Sequence, residues 1–107
     1  INLLLSGGAR RVRFQAHLNL AQAQKLGEES VALERRKFGP GHADTQASIY
    51  TLATVYLSAG KAEESRKLFE EVRAIRRQQP DSDEANNLYL LNNLAIAEEA
   101  LGAPDLA

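Results

Sequence analysis

The chain contains no cysteine, which excludes disulfides, a thiolate nucleophile and thiolate metal ligands together. A reducing compartment is then the default, and a cytoplasmic location is expected. Long apolar runs are also missing. The opening segment Ile1–Leu5 is far too short to span a bilayer or to form the core of a signal peptide. Neither sign of charge dominates, because thirteen basic residues face fourteen acidic ones for a net charge of -1. No whole-molecule field therefore draws the chain to nucleic acid or to an anionic membrane, and neither is expected as a partner. The balance is uneven along the chain: residues 1–53 hold seven basic and four acidic residues, and residues 54–107 hold six and ten. The chain does not begin with methionine and stops at Ala107, shortly after Pro104, so it is expected to be a piece of a longer protein.

The apparatus of catalysis is equally sparse. The two histidines, His17 and His42, are far apart and lack metal-ligand spacing. Glu63-Glu64 and Glu98-Glu99 are adjacent acids, which a helix would point in different directions, a poor arrangement for paired acid–base work. There is no glycine-rich phosphate loop, no nucleophile motif and no zinc-protease helix, so no enzyme, cofactor or metal is expected. The basic run Arg10, Arg11 and Arg13 has only Phe14 as an aromatic companion and reads as a solvated face.

What is present is a period. A shift of 42 residues superimposes Leu52 on Leu94, Ala53 on Ala95 and Gly60 on Gly102, along with Lys25 on Lys67, Leu26 on Leu68 and Arg35 on Arg77. Such a period marks stacked supersecondary units. The clearest unit covers 43–79. Leu52, Ala53 and Tyr56 form a helical stripe that Gly60 closes, and Ser65, Phe69 and Val72 line one face of a second helix, with Leu68 and Ile75 beside them. The opposite face offers Glu63 to Lys67 and Arg66 to Glu70 at the four-residue spacing of helix ion pairs. Breaks are expected at Gly39-Pro40-Gly41 and at Pro80, followed by capping-box spacing from Asp81 to Glu84. The third unit's first helix should run to about Leu101, before Gly102, with Ala103-Pro104 opening another.

Three segments carry a family resemblance: Phe38-Gly39-Pro40-Gly41-His42-Ala43-Asp44, Gly60-Lys61-Ala62-Glu63-Glu64-Ser65 and Leu91-Asn92-Asn93-Leu94-Ala95. They resemble the linker, the hairpin turn and the first helix of the tetratricopeptide repeat, in the 42-residue form of kinesin light chains and many multidomain proteins. The resemblance implies one all-α domain over 1–107, a right-handed α-solenoid of antiparallel helix pairs. About two and a half repeats are expected, with units near 9–38, 43–79 and 82–107, the last truncated. It also gives His42 a structural role in the linker. Before residue 19 the pattern fails, since the shift sets Arg10 and Arg11 against Leu52 and Ala53, and Leu18 against the turn glycine. Two arrangements fit: a short helix over Ala9–His17 after a loop at Ser6-Gly7-Gly8, which is preferred, or one continuous helix over 9–38.

The resemblance further implies that first helices line a concave groove that holds a protein or peptide partner. Counted from Leu52 and Leu94, the groove positions are Ala47, Tyr50, Thr51 and Thr54 in one unit and Tyr89, Asn92, Asn93 and Ile96 in the next. Asparagine can both donate to and accept from a peptide backbone, so Asn92 and Asn93 are the foremost candidates, and tyrosine adds apolar area with a polar tip. None of the eight is Lys or Arg, which argues against a clamp for a partner's terminal carboxylate. The alternative to a binding scaffold is a regulatory or oligomerisation segment of a larger signalling protein such as a kinase or ATPase, with self-association through exposed terminal repeats.

Overall fold

The computed structural model describes the backbone of residues 2–79 and 84–102, and the side chains of residues 15, 17–79 and 87–102. It has four helices among those residues: α1 (Asn2–Phe38), α2 (Ala43–Ser58), α3 (Ala62–Arg77) and α4 (Glu84–Ala100). Each packs on the next in order, α1 on α2, α2 on α3 and α3 on α4. That is the layout of a helical-repeat solenoid of about two and a half units, as expected. Pro80, Asp81 and Pro104, which carry the other expected boundaries, lie outside the described residues.

The turns follow from the sequence. Gly39, Gly60 and Gly102 have φ values of 84°, 79° and 73°, in the left-handed region that a side chain disfavours and that closes a helix. Gly60 and Gly102 are 42 residues apart, so the period is written in backbone conformation as well as in composition. After Gly39 the chain re-enters a helix through His42, whose Nδ1 accepts the Asp44 N–H at 3.1 Å as an N-cap. The His42 ring stacks on Phe38 with centroids 4.5 Å apart, holding the end of α1 to the start of α2. This is the structural role that the resemblance implied for the histidine.

One expectation fails. α1 is continuous, with no loop at Ser6-Gly7-Gly8 and no helix end at His17. A helix needs a specific interruption to end, and residues 9–38 contain no proline. Leu18 stands where the closing glycine would be, and a glycine pair inside a helix costs only about 1 kcal/mol per residue relative to alanine. Gln15 donates to Asn19 Oδ1 at 3.1 Å straight across the expected break. The ion pairs on α3 also differ from the four-residue spacing: Arg66 reaches back to Glu63 at 2.6 Å and Arg73 to Glu70 at 3.6 Å. Helical side chains lean toward the N-terminus, and a long guanidinium finds the acid three residues earlier.

The core runs through all four helices. Val31 from α1, Ile49, Leu52 and Ala53 from α2, Phe69 and Val72 from α3, and Leu90 and Leu94 from α4 form one buried cluster. Small residues set its spacing. Ala53 is fully buried, and its carbonyl accepts the Ser65 hydroxyl at 2.7 Å, so α2 and α3 touch almost backbone to backbone. At Gly27 a Cβ would lie 3.0 Å from Leu52 Cδ1, which explains a glycine in the middle of α1. Polar ties fix the register. Thr45 Oγ1 donates to the Glu34 carbonyl at 3.3 Å, and Arg35 grips Glu71 through two bonds of 2.5 and 2.8 Å that join α1 to α3.

The Tyr56 phenol donates to Glu28 Oε2 at 2.6 Å, linking α2 to α1. Burial pushes this phenol from 10.0 up to about 12, and the bond to Glu28 acts in the same direction, since a phenolate would confront the carboxylate. Unfolded, the group loses its proton near pH 10.0; folded, it keeps it to about 12. The folded state thus binds more protons over that interval, so the stabilisation is complete below pH 10.0 and is lost as pH rises through about 12. Tyr56→Phe is expected to flatten this alkaline decline in denaturant midpoint. An unchanged slope would show that Tyr56 is not the group responsible.

Candidate functional site

The expected groove positions lie on α2 and α4, the first helices of successive units. Tyr50, Thr51 and Tyr89 line one cavity of about 310 Å³, together with Ala47 and Arg76. Ala47 and Thr51 also border a second, of about 210 Å³, whose far wall is Gly27 and Ser30 of α1. The two cavities share Ala47 and Thr51 on α2, and the second is bordered by the small residues Gly27, Ala47 and Ser48.

Side-chain bonding decides what this surface can offer. Thr51 donates its hydroxyl to the Ala47 carbonyl at 2.9 Å, and Thr54 donates to the Thr51 carbonyl at 2.7 Å. Both protons are spent within α2, so these threonines present methyl groups and acceptor lone pairs. Asn93 Nδ2 donates to the Tyr50 hydroxyl at 2.5 Å, tying α4 to α2 across the groove. The Tyr50 oxygen accepts this bond, which leaves its own proton available for donation to a ligand carbonyl. The Tyr50 ring meets Phe69 edge-on at 5.3 Å, which fixes its plane from below. Tyr89, by contrast, is 66% exposed and stands up from the wall.

Tyr50, Thr51 and Tyr89 are therefore brought together at one cavity, and Asn93 is bonded to its edge. Thr54 is half-buried further along α2, and Asn92 and Ile96 are exposed on α4; these three line none of the described cavities. Counting first-helix positions missed Arg76, which enters from the end of α3 with its guanidinium 5.8 Å from the Tyr50 ring centroid, a cation–π distance. The signal for it was the triangle Arg73, Arg76, Arg77, whose three- and four-residue spacing puts all three on one helix face. A positive charge thus lines the groove although none of the eight counted positions is basic.

Among the described residues there is no cluster of three or more His, Asp or Glu that could hold a metal ion, and no helix long and apolar enough to cross a membrane. The family model of the tetratricopeptide repeat matches residues 15–78 and 45–107. No curated protein and no solved structure matches the chain. With helical hairpins closed by left-handed glycines 42 residues apart, and a family match that runs from residue 15 to the last residue, the chain belongs to the tetratricopeptide repeat family.

Proposed function

We propose that the chain is a protein-interaction scaffold that holds an extended segment of a partner in the groove between α2 and α4. Tetratricopeptide repeats generally mediate protein–protein interactions and are typically non-catalytic. The observation that carries the reading for this chain is the cavity of about 310 Å³ with Tyr50, Thr51 and Tyr89 on its walls. The exposed Tyr89 beside Ala47 offers a partner side chain an apolar seat, and the Tyr50 hydroxyl offers a bond to its backbone. The 42-residue spacing and the linker Gly39-Pro40-Gly41-His42 favour the form found in kinesin light chains, and the lack of cysteine favours a cytoplasmic setting.

The test is a set of extended peptides selected from a display library on the whole chain. Tyr89→Ala is expected to weaken their binding at least tenfold, about 1.4 kcal/mol, whereas Leu33→Ala on the exposed side of α1 leaves it unchanged. Peptides that bind wild type and Tyr89→Ala equally would move the site out of this groove.

A further inference from the structure

The seam between α1 and α2 holds the cavity of about 210 Å³, lined by Gly27 and Ser30 of α1 and by Ala47, Ser48 and Thr51 of α2. Two contacts set the register of this seam. A Cβ at Gly27 would lie 3.0 Å from Leu52 Cδ1, and the Glu34 carbonyl accepts the Thr45 hydroxyl at 3.3 Å, so the helices run antiparallel. Ser30 and Ser48 stand between those contacts. Glu34 follows one turn beyond Ser30, on the same face of α1, and helical side chains lean back toward the N-terminus, here toward Ser30. The Glu34 Oε1 is buried and has no hydrogen-bond partner. We propose that this cleft takes the side chain of a lysine from a partner segment, with its ammonium held by Ser30, Ser48 and the Glu34 carboxylate.

What each oxygen can still do decides the ligand. The Thr51 hydroxyl gives its proton to the Ala47 carbonyl, so it can only accept from a ligand, and a carboxylate likewise only accepts. The Ser30 and Ser48 hydroxyls hold no hydrogen bond within the chain and can do either. An ammonium has three donors and no acceptor, so it uses these lone pairs without stranding a group of its own. A buried carboxylate oxygen without a donor carries a standing desolvation cost, which an incoming N–H removes. The chain's own cations leave this role open. Arg35, next in sequence, is turned to α3, where two bonds hold it on Glu71, and Glu34 forms no ion pair. Glu34 is half-buried one turn past the cavity lining, about 5 Å along the helix axis. A four-carbon lysine stem spans that distance while its methylenes rest on Gly27 and Ala47.

The cleft stands on its own lining. That the lysine belongs to the segment filling the groove rests on the function proposed above, since this cavity shares Ala47 and Thr51 with the tyrosine-lined one. A small probe keeps the two apart: N-acetyl lysine methylamide titrated into the whole chain, with the backbone amides and the Glu34 carboxylate carbon followed by NMR. Saturable shifts are expected at Ser30, Ser48, Thr51 and the Glu34 carboxylate. The norleucine and glutamine analogues, which keep the stem or the donors without the charge, should bind about tenfold more weakly. Glu34→Gln should weaken the lysine probe about tenfold with the amide spectrum otherwise unchanged, and Ser48→Ala should weaken it while sparing the norleucine analogue. Equal binding of norleucine would make the cleft a purely apolar seat, and equal binding of glutamine would make it an amide site. Either result, or a Glu34→Gln variant that binds like wild type, would overturn the proposal. Lysine-specific shifts that persist in Tyr89→Ala would uphold the cleft even if Tyr89→Ala had no effect on the selected peptides, so failure of the groove and failure of the cleft are told apart.

Discussion

Phe69→Ala is expected to lower the stability of the chain by about 3–5 kcal/mol, read as a drop in denaturant midpoint at constant slope. The ring is fully buried and lies in the cluster shared by all four helices. Its removal leaves a cavity that neighbouring helices cannot close, since Ala53 and Ser65 already hold α2 and α3 at a short distance. A domain of this size has about 5–15 kcal/mol in total, so the variant should be close to unfolding at room temperature. Tyr50 would also lose the edge contact that orients it, and the groove would loosen with the core. A loss below about 1 kcal/mol would mean that the layers do not meet on Phe69.

The second expected result concerns a residue with no side chain. Gly27→Leu is expected to cost about 1–3 kcal/mol by overpacking, although leucine is the better helix former. The first added atom already lies 3.0 Å from Leu52 Cδ1, and Leu52 is itself buried. The larger side chain must push α1 from α2 or displace Leu52 into the layer below. Gly27→Ala separates the two effects: its gain of about 1 kcal/mol in helix propensity opposes a single tight contact, so the net change should be small. Equal stabilisation by alanine and leucine, measured by thermal and denaturant unfolding, would show that α1 and α2 do not approach closely here.

These two positions illustrate how far the sequence could be read. Phe69 and Gly27 are related by the same 42-residue shift, yet one fills the interlayer space and the other empties it. The period located the hairpins around Leu52, Gly60 and Leu94, because left-handed turns and close contacts demand particular residue types. It gave no guide to the first half of α1, before residue 19, where no residue that would stop a helix stands at the place of the turn glycine and Leu18 is found instead. For the groove, helix counting named Tyr50, Thr51 and Tyr89, which border one cavity, and also Thr54, Asn92 and Ile96, which line none of the described ones; the 42-residue equivalent of Tyr50 is Asn92, so equal positions along the chain do not meet equal surroundings. A bridge from Asn93 to an adjacent helix was open from the sequence, but its partner Tyr50 was not, nor was the crossing of Arg76 from another helix. Both depend on side-chain reach between elements, which a period along the chain does not encode.

Everything proposed for the groove requires α2 and α4 to lie side by side with Tyr50 against Asn93. The direct measurement is the set of nuclear Overhauser effects from the Asn93 side-chain amide in the wild-type chain. Cross-peaks to the Tyr50 ring protons are expected, as are peaks from the Tyr50 ring to Phe69, because the Asn93 Nδ2 to Tyr50 hydroxyl distance is 2.5 Å and the two rings are 5.3 Å apart. An Asn93 amide that shows only contacts within α4, in a chain whose α2–α3 hairpin is otherwise intact, would contradict the arrangement and remove the groove.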